Sequence, residues 1–593
     1  MGVRERTGGI LNAENHEDGL IKHLVGDWRW LIAGGLLSFE LASIVLLGWP
    51  SGLIPSIRLP YVYGGDGLFF QWMAQRSIEG WALTNPRSGF PFGSAIYDFP
   101  NSDAGSLLLY KILGKLTGSV FSTVDLYFLL SFPVIFVVAF IVLRSFGIRR
   151  TYCATSSLLF AFAPFHFSRL FYGHDFYTWY FGIPLFFYYG KNLIFYGKTH
   201  WNIAKPIRSI SLIAVVAALS SFGVYYAFFG SIVLVVCGIA GSFRRVSVLP
   251  FRNAILFCAL LFIGVAINLS PNIVYRETHT LNPEVAARPP AQSEIYALKI
   301  MHLLLPQPDH RIKFLRSYTA MYDSTFPLSN TTSSLGIVGI VGFLTVLASM
   351  GAGLVGLTVR PKIGVASIVV ISLLLVSTVG GFNVLFATLV TPLIRGWDRI
   401  SIFIEFGCLL AFAVLIDDCA WVNKHRASAV FSAGAIAVLG FLDQTPTSYN
   451  TTVASGFYNA GIDSNFIHQI ESTLPAGSAI YQLPYVSFPE SNNIQRLGVY
   501  DLGTGFTNSK TLKWSYGGMQ GREGDLFFRA LSAKPVREQV AETEKMGFSA
   551  VYIDRRGYAD NGDKIVSELT EILGHGPNLV RADGDVLLFK LPH

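Results

Sequence analysis

Apolar runs of about 20 residues, the length that crosses a lipid bilayer, recur from Trp30 to Leu442 with only short polar breaks. In the hydrocarbon core every backbone amide and carbonyl needs an internal partner, so continuous runs of this kind must be helices. The totals agree, with 51% hydrophobic residues, 14% charged residues and a mean hydropathy of +0.46. After Asp443 the pattern stops. The formal charge of +7 does not argue for nucleic acid, because the basic residues are spread over short interhelical loops, where retention of positive charge in the cytoplasm predicts them. All five cysteines (Cys153, Cys237, Cys258, Cys408, Cys419) lie in or beside apolar runs, so the tail is expected to carry no disulfide. The first run ends in Leu47-Gly-Trp-Pro-Ser-Gly52 without a small-x-small cleavage site, and reads as an anchor rather than a signal peptide.

Basic flanks decide the parity of crossings where runs merge. Arg149/Arg150 and Lys191/Lys198 bracket a pair of helices with an apex at 172–177; Lys205/Arg208 and Arg244/Arg245 bracket a pair with an apex at 220–226. Arg252 and Arg360/Lys362 bracket a third pair, joined by a long loop, and Arg360/Lys362 and Lys424/Arg426 bracket a fourth with its apex at 391–399. Adding single helices near 30–49, 124–146 and 427–442 gives about eleven spans, N-terminus inside and C-terminus outside. The expected architecture is an α-helical polytopic membrane protein with a C-terminal extracytoplasmic α/β domain. Its parts are a cytoplasmic segment at 1–29, a membrane domain at 30–443 with outer loops at about 51–103 and 276–334, and a soluble domain at 444–593. A cell inner (cytoplasmic) membrane of a bacterium is the expected location.

This topology puts the conspicuous polar stretches on one face: Gly64-Gly-Asp-Gly67, Asp98 to Asp103, His174-Asp175, the 276–334 loop and Arg395 to Arg399. Carriers place ionisable residues mid-helix, whereas the spans here are nearly free of them. Such one-sidedness is the pattern of an interfacial enzyme. In the first loop, glycines flank Asp66 and an aromatic segment follows that can lie as a helix at the headgroups; 103–116 reads as another interfacial helix. The 276–334 loop, carrying His302, His310 and Arg311, has the length of a lid or binding loop. The tail reads as strands at 478–483, 550–554 and 586–590 with helices near 525–546 and 562–573. Its loop Trp514-Ser-Tyr-Gly-Gly-Met-Gln-Gly-Arg522 suits either carbohydrate stacking or docking on the membrane domain.

The layout, with its early outer-loop acid, multiple spans and outer C-terminal domain, resembles the GT-C superfamily of membrane glycosyltransferases. The resemblance implies a hexosyl- or pentosyltransferase of the cell envelope that takes a polyprenyl-phosphate-linked sugar donor and works on the outer face, in polysaccharide biosynthesis or in decorating a glycan, lipid or protein acceptor. It carries over one residue, Asp66, as catalytic base. Related oligosaccharyltransferases hold a metal with a second-loop acidic pair, and the counterpart here is a single His174-Asp175; a divalent cation, Mg or Mn, held by Asp66, His174 and Asp175 is therefore an open expectation, and no other cofactor is implied.

Stated independently, the chemistry needs a carboxylate to take the acceptor hydroxyl's proton and cations to meet the charge growing on the leaving phosphate. Asp66 is the candidate base, and Arg395 and Arg399 are candidates for the phosphate. Asp98, Asp103, His174, Asp175, His302, His310 and Arg311 are candidate substrate contacts. Asp98 and Asp103 could equally cap the helix that follows, and Arg395 to Arg399 could be an ion pair touching anionic membrane lipids. The competing functions are a lipid-linked sugar flippase or transporter, a polysaccharide polymerase, and a scaffold anchoring the C-terminal domain.

Overall fold

The computed structural model describes residues 19–199, 206–325 and 333–592. Most of the N-terminal segment, the Lys205 flank and residues 326–332 of the long loop lie outside the described residues. Each of the apolar runs is a helix. Among the described residues seven are long and apolar enough to cross a membrane: Trp28–Leu47, Val120–Ser145, Val224–Arg245, Leu249–Asn268, Gly336–Leu354, Trp397–Asp417 and Arg426–Gln444. Four shorter helices, Arg150–Ala161, Ile183–Tyr196, Pro206–Ser221 and Pro361–Ser377, occupy the remaining runs. The first of these is short because Pro164, which starts the next helix (Pro164–Phe171), breaks the run.

At one end of the bundle, basic flanks are tied to acids. Asp27 is buried and bonded to Arg144 (2.9 Å) and Arg150, Arg149 pairs with Asp417 (3.3 Å), and Arg360 with Asp418 (3.3 Å). The opposite end carries the polar loops. Helices form at Asp66–Glu79 and Ala104–Thr117, in the two segments where the sequence predicts them. The long loop is not irregular: Ser270–Thr278, Gln292–Ile295, Ile300–Leu304 and Lys313–Thr325 are helical.

The 51–103 loop contains a small hairpin, β1 (Thr84–Asn85) with β2 (Ser94–Ala95). The C-terminal domain is built on a mixed sheet of β3 (Ala479–Leu483), β4 (Lys513–Trp514), β5 (Phe548–Asp554), β6 (Leu579–Val580) and β7 (Val586–Lys590) in the order β4-β3-β5-β7-β6. β3 runs parallel to β4 and β5, while β7 is antiparallel to β5 and β6. Side chains of a strand alternate between faces, and here both faces are covered. Ala479, Tyr481, Val551, Ile553, Leu587 and Phe589 pack on the helices Glu523–Ser532, Val536–Lys545 and Asp563–Leu573. Ile480, Ala550, Tyr552, Val586 and Leu588 pack instead with Leu68, Phe69, Trp72 and Met73 of the Asp66–Glu79 helix and with Phe466, Ile467 and Ile470 of a long helix, Tyr449–Thr473.

The 51–103 loop also covers the sheet edge. Trp514 donates its amide to Arg87 (2.7 Å) and accepts from Phe90 (2.9 Å), so residues 87–90 continue the sheet beyond β4. Ser88 and Ser94 donate to the carbonyls of Tyr516 (2.9 Å) and Gly517 (2.6 Å). Trp514 is fully buried. Of the two readings of the 514–522 loop, docking is the one realised by Trp514 and Tyr516. Buried Arg76 holds the hairpin to its helix, donating to Ala82 (2.6 Å) and Ser94 (2.9 Å) while stacking on Trp72 (4.2 Å). Trp72→Ala should therefore cost about 3–5 kcal/mol. The expected outcome is a lower unfolding midpoint of the full-length protein in detergent, with new protease cuts between residues 80 and 100; an unchanged midpoint would show that the sheet does not need this face.

Candidate functional site

Asp66 is the first residue of its helix, reached through Gly64 and Gly65, both at positive φ (154° and 51°), conformations that glycine adopts without strain. Its carboxylate is half exposed and meets His174 Nε2 at 3.2 Å. The approach is made possible by Gly173, also at positive φ (72°), where a Cβ would lie 2.1 Å from the Gly67 nitrogen. His174 donates its own amide to the Arg169 carbonyl (2.7 Å), and its Nδ1 faces the Arg169 guanidinium at 3.3 Å. A guanidinium only donates, so Nδ1 accepts, the ring proton sits on Nε2, and Nε2–H donates to Asp66. Arg169 itself is buried, with Phe165 and Tyr172 rings against its guanidinium.

Burial pushes the His174 pKa down to about 4, with the charges of Arg399 and Arg169 acting in the same direction and the bond to Asp66 opposing them. The ring is therefore neutral at pH 7. Arg399 stacks on Tyr177 (4.2 Å) and Tyr225 (4.5 Å), and its Nε has no hydrogen-bond partner among the described residues. Asp103 stands at an N-cap position but makes no cap bond; its carboxylate accepts the Gly223 amide (2.6 Å) at the apex of the 206–245 hairpin. Burial raises the Asp103 pKa to about 6, against the pull of Gly223 and Arg399. These four loops thus meet at one end of the bundle.

The other expected residues are placed as follows. Asp175 turns away from Asp66 and accepts from Tyr110 (3.0 Å), and burial raises its pKa to about 7. Asp98 is a buried partner of Arg522 (2.8 and 2.6 Å), joining the first loop to the C-terminal domain. Arg395 donates to Gln292 (3.1 Å) and lies 3.7 Å from Glu490. His302 contacts Asp323 (3.2 Å), His310 contacts Asp443 (3.1 Å), and Arg311 donates to the Leu442 and Thr445 carbonyls (3.1 and 2.6 Å). Those three pin the long loop to itself and to the end of the Arg426–Gln444 helix. Asp66, His174, Arg399 and Asp103 come together; Asp98, Asp175, His302, His310 and Arg311 are engaged elsewhere.

Sequence reasoning missed Arg169, Tyr177, Arg288, Glu490 and Tyr500. Glu490, from the C-terminal domain, accepts from Arg288 of the long loop (2.6 Å to Oε2). The Tyr500 hydroxyl is buried near both Asp66 and Glu490, and burial and these carboxylates raise its pKa. Beside Asp66 opens a cavity of about 380 Å³, lined by Tyr61, Gly64, Tyr172, Ser455 and Asn459 among others. The donor set does not resemble a metal centre: among the described residues no three His, Cys, Asp or Glu side chains are grouped to hold an ion, and Asp175 is not with Asp66 and His174.

The fold is shared with a solved protein. ArnT from Cupriavidus metallidurans, in its apo state, superposes with a TM-score of 0.52 at 11% identity, over 95% of this chain and 98% of that one. Looser overlaps are found with the Archaeoglobus fulgidus oligosaccharyltransferase in its apo form (TM-score 0.45, 14% identity, 89% and 69% of the two chains) and with mycobacterial arabinofuranosyltransferase AftD (0.42, 15%, 89% and 36%). No family model and no curated protein matches the sequence. The chain has the GT-C fold.

Two outcomes are expected from this geometry. Gly173→Ala forces the 172–177 turn away from Asp66, a misplacement of the order of 1 Å that should cost about 10²-fold in any activity using Asp66; full activity would contradict the close approach. Because its folded pKa lies below the 6.5 of a free imidazole, His174 supports stability above about pH 6.5 and that support fades as pH falls toward 4. In histidine-labelled NMR, the signal lost in His174→Gln should keep neutral-form shifts down to pH 5; a midpoint near 6.5 would contradict it.

Proposed function

We propose that this chain is a membrane glycosyltransferase that moves a sugar from a polyprenyl-phosphate-linked donor to an acceptor hydroxyl at the outer membrane face. The observation that carries the reading is the arrangement around Asp66. A half-exposed carboxylate at a helix start opens on a cavity, while neutral His174 and the cations Arg169 and Arg399 stand behind it at the end of an apolar bundle.

In the proposed step the acceptor oxygen gives its proton to Asp66 and attacks the anomeric carbon. The bond from that carbon to the donor phosphate oxygen breaks, and the phosphate leaves on its lipid. A single displacement of this kind inverts the anomeric centre and needs no enzyme nucleophile. His174 is a positioning residue: its Nε2–H holds one carboxylate oxygen and leaves the other free to accept a proton. Arg399, held flat by two tyrosine rings, offers guanidinium donors to the leaving phosphate, where a delocalised cation stabilises growing charge in a site partly closed to water. The apolar helices behind it suit a polyprenyl tail, and the C-terminal domain covers the sugar side.

The test supplies purified full-length protein with polyprenyl-phosphate sugars, hexosyl and pentosyl, and measures transfer. Asp66→Asn should lose about 10²–10⁴-fold in rate. Unchanged turnover in that variant would remove Asp66 as base.

A further inference from the structure

A second cavity, about 210 Å³, lies between the first outer loop, the Tyr449–Thr473 helix and the C-terminal domain. Tyr63, Gly64 and Asn459 line both it and the cavity that holds Asp66, so the two are adjoining compartments. We infer that this second compartment holds a neutral, hydroxyl-rich sugar ring of the acceptor. The inference rests on the reading of Asp66 as base.

The walls are built and rigid. Asp463 accepts from the Tyr63 hydroxyl (2.8 Å) and from Arg581 (2.6 Å), and Arg581 also binds Asp583 through two nitrogens (2.9 and 2.8 Å). Arg556 binds Asp554 in the same fashion (2.9 and 2.6 Å) and reaches Asp501 at 3.1 Å. Arg581 and Asp463 are only 6% and 8% exposed. Charges buried to that degree carry a desolvation cost that pairing must offset. Arranged around a void, they present fixed donors and acceptors that need no reorganisation when a ligand enters.

Charge decides the ligand class. Four carboxylates, Asp463, Asp501, Asp583 and Asp585, face the cavity against two guanidinium groups, Arg556 and Arg581. That excess repels a phosphate, which is drawn instead to the Arg169 and Arg399 side of Asp66. Sugar hydroxyls satisfy a mixed wall, since each can donate to a carboxylate and accept from a guanidinium. A divalent cation is a poorer fit, because the four carboxylates are not grouped as ligands. The volume is below the roughly 300–1,000 Å³ of pockets for drug-sized ligands, which limits it to about one ring, with the reacting hydroxyl extending past Gly64 toward Asp66. Gly64 leaves that threshold open, with nothing near the place a Cβ would take.

The experiment uses the full-length protein in nanodiscs and saturation-transfer NMR with methyl glycosides of neutral hexoses and pentoses. A sugar 1-phosphate and a methyl glycoside of an amino sugar are run in parallel. At least one neutral glycoside should bind in preference to both charged probes. Asn459→Trp, which fills the junction without touching an ion pair, should weaken that binding by about tenfold or more at an unchanged unfolding midpoint. Asp66→Asn should bind like the wild type, so failure of the base assignment in transfer assays and failure of this inference are read separately. Absence of any neutral-glycoside signal in the wild type, equal or better binding of the phosphate or the amine, or unchanged binding in a folded Asn459→Trp would overturn it.

Discussion

One face of the C-terminal sheet is buried against the helix that starts at Asp66, with Phe69, Trp72 and Met73 packed under Ile480, Ala550 and Tyr552. Burying large side chains of this kind is worth several kcal/mol in all, and it fixes a loop that would otherwise wander over the membrane surface. Arg87 to Phe90 strengthens the union by extending the sheet edge. The consequence reaches the site directly. The helix start that presents Asp66, the loop that brings Glu490 and Tyr500, and the arginines of the charged cavity are all held by the same shared core.

Around Asp66 the electrostatics divide. On one side the positive groups are Arg169 and Arg399, which together with burial keep His174 neutral. On the other side carboxylates outnumber guanidinium groups. On the proposed reading, a carboxylate between a phosphate-attracting region and a phosphate-repelling one sorts donor from acceptor by charge before any specific hydroxyl contact is made. The opposite end of the bundle, where Asp27, Asp417 and Asp418 meet the basic flanks, takes no part in this division.

Much of this was legible in the sequence wherever a pattern is local. Apolar runs and their basic flanks located the helices, including the turn at 220–226, now seen between Ser221 and Val224. Short apolar runs located β3, β5 and β7 within two residues. The glycines around Asp66 marked it because the turn before its helix takes positive φ, which glycine adopts without strain. What stayed hidden depends on contacts between residues far apart in the chain. Asp98 read as a substrate contact or a helix cap because its partner Arg522 lies 424 residues away. Arg169 sits in an apolar stretch and shows its role only when His174 folds back on it. The Tyr449–Thr473 helix gave no strong signal because its apolar positions face the first outer loop as well as the sheet. His302 and His310 read as substrate contacts from their place in the long loop, where they contact Asp323 and Asp443.

On the proposed reading, Asp66 stands between a donor phosphate on the Arg399 side and an acceptor sugar on the C-terminal side. A cryo-EM structure of the Asp66→Asn protein soaked with a polyprenyl phosphate tests it most directly. The phosphate is expected within hydrogen-bonding distance of Arg399 and on the His174 side of residue 66. Phosphate density in the cavity of Asp463, Asp583 and Asp585, or away from residue 66 altogether, would contradict it.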